Sequence, residues 1–196
     1  MECGADGVEL DVAVTLDDRL AVTHDLVLGD GRVVRAQLAS DLPLPTLDEV
    51  LALPTREAFW WDIEAKSEPD LSPAPGVYAG LLSAAIRRDR VVVRSFDHEI
   101  LRALHDLEPS IPLACLVDYE SDDWLGIVRA VGASIISPHF STVTAERVSR
   151  AHDAGIQVSV WTVNDPGDWA RMGEMGVDTV ISDDPSRLVR WIALGD

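Results

Sequence analysis

Val91-Val92-Val93-Arg94-Ser95-Phe96 reads as a strand over 91–96 that leads directly into a helix over 97–107. Toward the C-terminus the same unit repeats. Strands at 111–117, 133–138, 157–163 and 179–182 alternate with helices at 122–131, 144–154, 166–175 and 185–194. Gly155 and Gly176 stand where two of these helices should close through a left-handed residue. Toward the N-terminus, a helix over 76–88 is marked by Val77, Leu81, Leu82, Ala85 and Ile86 at helical spacing. A proline-containing loop over 68–75 separates it from a strand over 59–65. Strands alternating with helices of about 10–15 residues imply right-handed crossovers and a parallel sheet.

Before residue 59 the pattern is less regular. Gly4-Ala5-Asp6-Gly7-Val8-Glu9-Leu10-Asp11-Val12 reads as an opening strand, and residues 20–25 as a second extended arm joined to it by the turn Leu16-Asp17-Asp18-Arg19. Residues 26–45 carry Gly29, Gly31, Pro43 and Pro45 without periodicity, which predicts an irregular loop or small insertion. Thr46 and Glu49 form a capping box for a short helix reaching Leu53. The opening strand brings the helix-flanked strands to seven, one fewer than a (β/α)8 barrel needs. A doubly wound sheet would carry a glycine-rich phosphate loop after its first strand, and no such motif occurs. The expectation is a single α/β domain over 1–196, a (β/α)8 TIM barrel with its first β/α unit missing. The gap leaves a strand edge open, which predicts homo-oligomerisation through it.

Composition narrows the function. The 196 residues are 47% hydrophobic, enough for one sizeable core, and the formal net charge is −18. That charge excludes nucleic acid and anionic membrane surfaces as partners, because both demand a basic face. No apolar run approaches the roughly 18 residues needed to span a bilayer, and no secretory leader is evident; a cytoplasmic location is expected. Cys3 and Cys115 match neither a disulfide framework nor a thiolate zinc site. Lys66 is the only lysine. An acidic protein that handled a phosphate ester would need a local positive centre, and a divalent cation would supply one.

The chemistry is expected at the C-terminal ends of the strands. Alternation puts Glu9 and Asp11 on one face of their strand, about 7 Å apart, with Val8, Leu10 and Val12 on the other. The same rule puts Asp62, Glu64 and Lys66 on one face of the strand over 59–65. An internal Glu64–Lys66 salt bridge is one reading of that strand. The other joins Glu9, Asp11 and Glu64 into an all-carboxylate shell for a hard cation, Mg2+ or Ca2+ rather than zinc. His24, at the end of the hairpin arm, is the candidate acid or base, since histidine ordinarily titrates near neutral pH. His98, His105 and His152 fall on helices, and His139 is a weaker rim candidate. Arg94, Ser95, Phe96, Trp161, Thr162, Val163, Asn164, Ser182 and Asp183 are further strand-end residues expected at the rim, Trp161 either as core or as a wall against the substrate.

The chain resembles the glycerophosphodiester phosphodiesterase family. The matching pieces are Gly4 to Val12, Thr15-Leu16-Asp17-Asp18, Val22-Thr23-His24-Asp25, Leu44-Pro45-Thr46-Leu47-Asp48-Glu49-Val50-Leu51, Ile63-Glu64-Ala65-Lys66, Ser95-Phe96-Asp97, Val160-Trp161-Thr162-Val163-Asn164 and Gly176-Val177-Asp178. They keep the family's order and cover nearly the whole chain. The resemblance implies a barrel that hydrolyses glycerophosphodiesters to glycerol 3-phosphate and an alcohol, with a divalent metal at Glu9, Asp11 and Glu64. It implies an acid/base role for His24 and a catalytic contact of Lys66 with the phosphate; Lys66, Trp161 and Asn164 are the substrate-binding candidates. The family's His-Arg-Gly and Pro-Glu-Asn-Thr motifs, which belong to its first unit, are not in this sequence. Two alternatives therefore stay open: an impaired relative that binds a phosphodiester without cleaving it, and a related enzyme attacking phospholipid headgroups.

Overall fold

The computed structural model describes residues 4–86 and 89–195, so Cys3 and the expected helix end at Arg88 lie outside the described residues. Two compact units emerge, Gly7–Pro112 and Leu113–Asp196 with Met1–Asp6.

The first unit carries four strands in the order β2-β1-β3-β4: β1 (Gly7–Val14), β2 (Leu20–Val22), β3 (Trp60–Ala65) and β4 (Val91–Ser95). The hairpin expected from the opening stretch is present, with β2 antiparallel to β1 and Val12 opposite Val22. β3 runs parallel to β1 and β4 parallel to β3, as crossover helices require. The crossovers contain α1 (Leu47–Leu51) and α2 (Pro75–Ala85), and α3 (His98–Leu107) follows β4. The Thr46–Glu49 capping box is fully formed. Helix α2 opens at Pro75, whose missing N–H is no loss at the first helical position. Asp97 caps α3 by accepting from the Glu99 N–H.

Residues 26–45 form two short 3-10 turns, Val34–Ala36 and Ala39–Asp41, and a bridge between Val27 and Val33. The segment is nevertheless anchored. Leu26, Val34 and Leu42 join Ala13 and Ala21 in a small apolar cluster, and the Asp17 carboxylate accepts from the Ala39 N–H. Irregular backbone is held here by buried side chains rather than by a repeating hydrogen-bond ladder.

The second unit continues the alternation with β5 (Leu113–Val117), α4 (Trp124–Val131), β6 (Ile135–Pro138), α5 (Ala145–Asp153), β7 (Gln157–Val160), α6 (Pro166–Met175), β8 (Thr179–Val180) and α7 (Pro185–Leu194). All its strand pairings are parallel, and the strands are apolar because helices cover them. Gly155 and Gly176 adopt left-handed φ of 74° and 77°, as their places after α5 and α6 predict. Buried Cys115 behaves as a small hydrophobe, its thiol pushed up to about 12 by burial. Among the described residues no helix is long and apolar enough to cross a membrane.

One glycine bears directly on β1. A Cβ at Gly7 would lie 2.6 Å from the Trp60 carbonyl oxygen and 2.9 Å from the Trp60 Cβ. Both atoms belong to the paired strand, which cannot retreat without breaking the ladder. Gly7→Ala should therefore destabilise the protein by about 1–3 kcal/mol, read as a lower urea midpoint at unchanged slope. An unchanged midpoint would show that β1 and β3 separate easily.

Candidate functional site

The β1–β3 register decides what the carboxylates meet. Glu9 pairs with Asp62 and Asp11 with Glu64. Residues opposite one another on adjacent strands share a face, so the two carboxylate pairs lie in two rows on one surface. One ligand oxygen from each of Glu9, Asp11 and Glu64 lies within 4.8 Å of the other two. The sequence reading of these three as a cluster therefore holds in space.

Two cations answer the four carboxylates. Lys66 Nζ lies 2.7 Å from Glu64 Oε1 and 3.1 Å from Asp11 Oδ1. The internal Glu64–Lys66 salt bridge and the carboxylate cluster are therefore both present, and Lys66 bridges the strands. Arg94 takes the fourth carboxylate: Nε donates to Asp62 Oδ1 at 2.6 Å, and Nη2 donates to Asp62 Oδ2. This bidentate pair corrects the expectation of Arg94 as a rim group. Its side chain turns inward and is 1% exposed, because β4 places Arg94 beside Glu64 on the carboxylate face. Ser95 is buried as well, so of this strand end only Phe96, 44% exposed, reaches the rim.

The balance is uneven: four carboxylates face two cations, a formal excess of two negative charges. Burial pushes Glu9 up to about 8, with Asp11, Glu64 and Asp62 adding to the rise against the opposing pull of Arg94. Its Oε1 is buried without a hydrogen-bond partner. Burial also raises Glu64, despite the Lys66 ammonium. Burial alone would lower Lys66, but its bonds and charge attraction to Glu64 and Asp11 prevail and hold it above its ordinary value. More carboxylates than cations and an orphaned buried carboxyl oxygen fit a divalent, oxygen-seeking cation, whose charge would favour release of the Glu9 proton.

A cleft of about 380 Å3 opens onto this cluster, lined by His24, Glu64, Lys66, Ser67, Glu68 and Phe96 among others. His24 is the exposed member, with 73% of its side chain open to solvent, and its Nδ1 lies 2.8 Å from Asp25 Oδ1. With Nδ1–H donating to Asp25, Nε2 is left to exchange protons in the cleft.

Trp161 and Asn164 belong to the second unit. Trp161 Nε1–H donates to the Ser137 carbonyl at 2.9 Å, and its ring meets His139 edge-on at 5.2 Å. The Asn164 amide donates to Asp183 at 2.7 Å and accepts from the Ser182 hydroxyl and the Asp183 N–H. Asn164 thus ties together the ends of β7 and β8. Tyr78 and the inward turn of Arg94 escaped the sequence reading. An isolated tyrosine on a helix and one arginine among fifteen carry no local signal of depth.

Comparison with known proteins follows the same lines. The family model for the glycerophosphoryl diester phosphodiesterase family matches residues 1–187. A glycerophosphodiester phosphodiesterase of Caldanaerobacter subterraneus subsp. tengcongensis is 30% identical, across 100% of this chain and 89% of that protein. One from Bacillus altitudinis is 32% identical, across 97% and 87%. The crystal structure of a putative glycerophosphoryl diester phosphodiesterase from Silicibacter pomeroyi superposes with a TM-score of 0.87 at 26% identity, covering 99% of this chain and 86% of that one. A phosphodiesterase from Oleispira antarctica, solved with its product sn-glycerol-3-phosphate, has a TM-score of 0.87 at 21% identity, covering 98% and 87%.

The raised Glu9 carboxyl has a stability consequence in the cation-free protein. The unfolded chain releases that proton near 4.5, whereas the folded chain keeps it to about 8. Folding therefore takes up a proton between those values, and this contribution to stability falls as pH rises through the window and levels off above it. Urea unfolding at about pH 5 and about pH 9 should show the decline, and Glu9→Gln should flatten it. A Glu9→Gln profile as steep as the parental one would show that Glu9 is already ionised in the fold.

Proposed function

Because the chain belongs to the glycerophosphoryl diester phosphodiesterase family, its reaction is the hydrolysis of a glycerophosphodiester to glycerol 3-phosphate and an alcohol, and we propose that the cluster on β1 and β3 is where that reaction occurs. Glu9, Asp11 and Glu64 are the residues that would hold a divalent cation, Mg2+ or Ca2+. The observation that carries this is the convergence of three carboxylates around a buried, unpartnered Glu9 oxygen, with more carboxylates than neighbouring cations to answer them. When bound, the cation neutralises phosphate charge and favours ionisation of the attacking hydroxyl.

The chain's own groups do the rest. Lys66, tethered by Glu64 and Asp11, offers an ammonium to a phosphate oxygen from the wall of the cleft. Hydrolysis forms one P–O bond to the attacking oxygen and breaks the P–O bond to the alcohol. The departing alkoxide must then gain a proton. His24, held by Asp25 in the same cleft, is the group placed to carry it. Open to solvent, it can exchange that proton with water between turnovers.

Release of glycerol 3-phosphate from glycerophosphocholine, with each cation titrated into the chelator-treated protein, tests the assignment. Activity should vanish with chelator and return with one or both cations. His24→Ala should lower kcat by about a hundred- to ten-thousandfold while cation affinity stays near parental. Glu64→Gln should weaken cation binding itself. Full activity in chelator, or parental cation affinity in Glu64→Gln, would overturn the assignment.

A further inference from the structure

Two buried hydroxyls end on the backbone of the strands that carry the carboxylates. Tyr78, on α2, is 0% exposed, and its phenol donates to the Val12 carbonyl at 2.6 Å. Ser95, the last residue of β4, is also 0% exposed, and its Oγ donates to the Ala65 carbonyl at 2.7 Å. Val12 follows Asp11, and Ala65 follows Glu64. The two carbonyls sit at partnered positions, since Val12 and Ala65 are opposite one another in the ladder.

Neither contact stands alone. The Val12 carbonyl also accepts from the Lys66 N–H at 3.0 Å, so both its lone pairs are engaged, one by the helix and one by the neighbouring strand. Ser95 Oγ in turn accepts from the Asp97 N–H at 3.0 Å. Asp97 is the cap of α3, and its other carboxylate oxygen accepts from the Ser67 hydroxyl at 2.9 Å, just beyond Lys66. Burial raises the Tyr78 phenol, and the charges of Glu64 and Asp11 raise it further. Both effects favour the protonated phenol, the form that can donate to the Val12 carbonyl. The Val12–Ala13 and Ala65–Lys66 peptides are thus tethered one residue beyond Asp11 and Glu64, which limits how far the backbone that carries those carboxylates can shift.

We propose that Tyr78 and Ser95 are positioning residues of the cation site: each holds, through one carbonyl, the strand backbone one residue beyond a ligand carboxylate, Tyr78 beyond Asp11 and Ser95 beyond Glu64. The proposal rests on the assignment of those carboxylates as ligands. It differs from a plain helix-docking role in what must change when the hydroxyl is removed. Docking alone affects stability, whereas positioning affects cation affinity.

Tyr78→Phe and Ser95→Ala in the full chain, titrated calorimetrically with Mg2+ and Ca2+, separate the two. Each variant should bind the cation about ten- to hundredfold more weakly, with kcat recovering at saturating cation and KM for glycerophosphocholine unchanged. A variant that still unfolds cooperatively and binds the cation with parental affinity would overturn the proposal. Should a variant not fold, amide exchange in the parental protein decides. The Lys66 N–H shares the Val12 carbonyl with Tyr78, so a bound cation should slow its exchange, and an unchanged rate under saturation would overturn the proposal. A parental chain that binds neither cation would instead bring down the ligand assignment, and this inference with it.

Discussion

The pairing of β1 with β3 sets Asp11 against Glu64 and Glu9 against Asp62, and everything else about the site answers the repulsion that follows. Adjacent strands are separated by about 4.8 Å, so four like charges lie closer together than a half-buried surface tolerates unaided. Three devices relieve them. Lys66 bridges Asp11 and Glu64, Arg94 clamps Asp62, and Glu9 keeps its proton to about 8. With Glu9 protonated one negative charge still stands uncompensated and its ionisation adds a second, which is what makes the surface receptive to a divalent cation. Removing either cationic side chain would leave a buried carboxylate uncompensated, a costlier change than the ion pair's net stabilisation suggests.

The frame around this surface is correspondingly rigid. Gly7 lets β1 approach the Trp60 backbone more closely than any Cβ would permit. The apolar cluster of Leu26, Val34 and Leu42 fastens the irregular segment after β2 against Ala13 and Ala21. His24 contrasts with this frame. It projects from the end of the hairpin arm, largely open to solvent, with Asp25 as its hydrogen-bonding neighbour. Fixed carboxylates and an accessible imidazole suit a reaction in which charge is stabilised at one place and a proton must come and go at another.

The overall charge of −18 at first seems poorly matched to an anionic diester. The match is local rather than global. The chain's only lysine stands at the carboxylate cluster, and a cation bound beside it would turn the cleft wall positive.

The alternation of strands and helices, the hairpin, the Thr46–Glu49 cap and the glycine helix stops were all legible in the sequence, because each rests on contacts between residues a few positions apart. The Glu9, Asp11 and Glu64 set was legible too, since period-two alternation on strands ending at the same level places such residues on one face. The sequence left Glu64–Lys66 pairing and carboxylate clustering as competing readings, and the fold made them compatible by setting Asp11 within reach of the same ammonium. It also misdirected Arg94 to the rim. Whether an arginine at a strand end reaches outward or folds back depends on a carboxylate thirty-two residues earlier on the neighbouring strand. Tyr78 and Ser95 gave no sign of their reach to Val12 and Ala65, for the same reason. Local order follows from the sequence by short-range sterics and periodicity, whereas the partner of a buried polar group is chosen by which backbone the tertiary fold brings beside it.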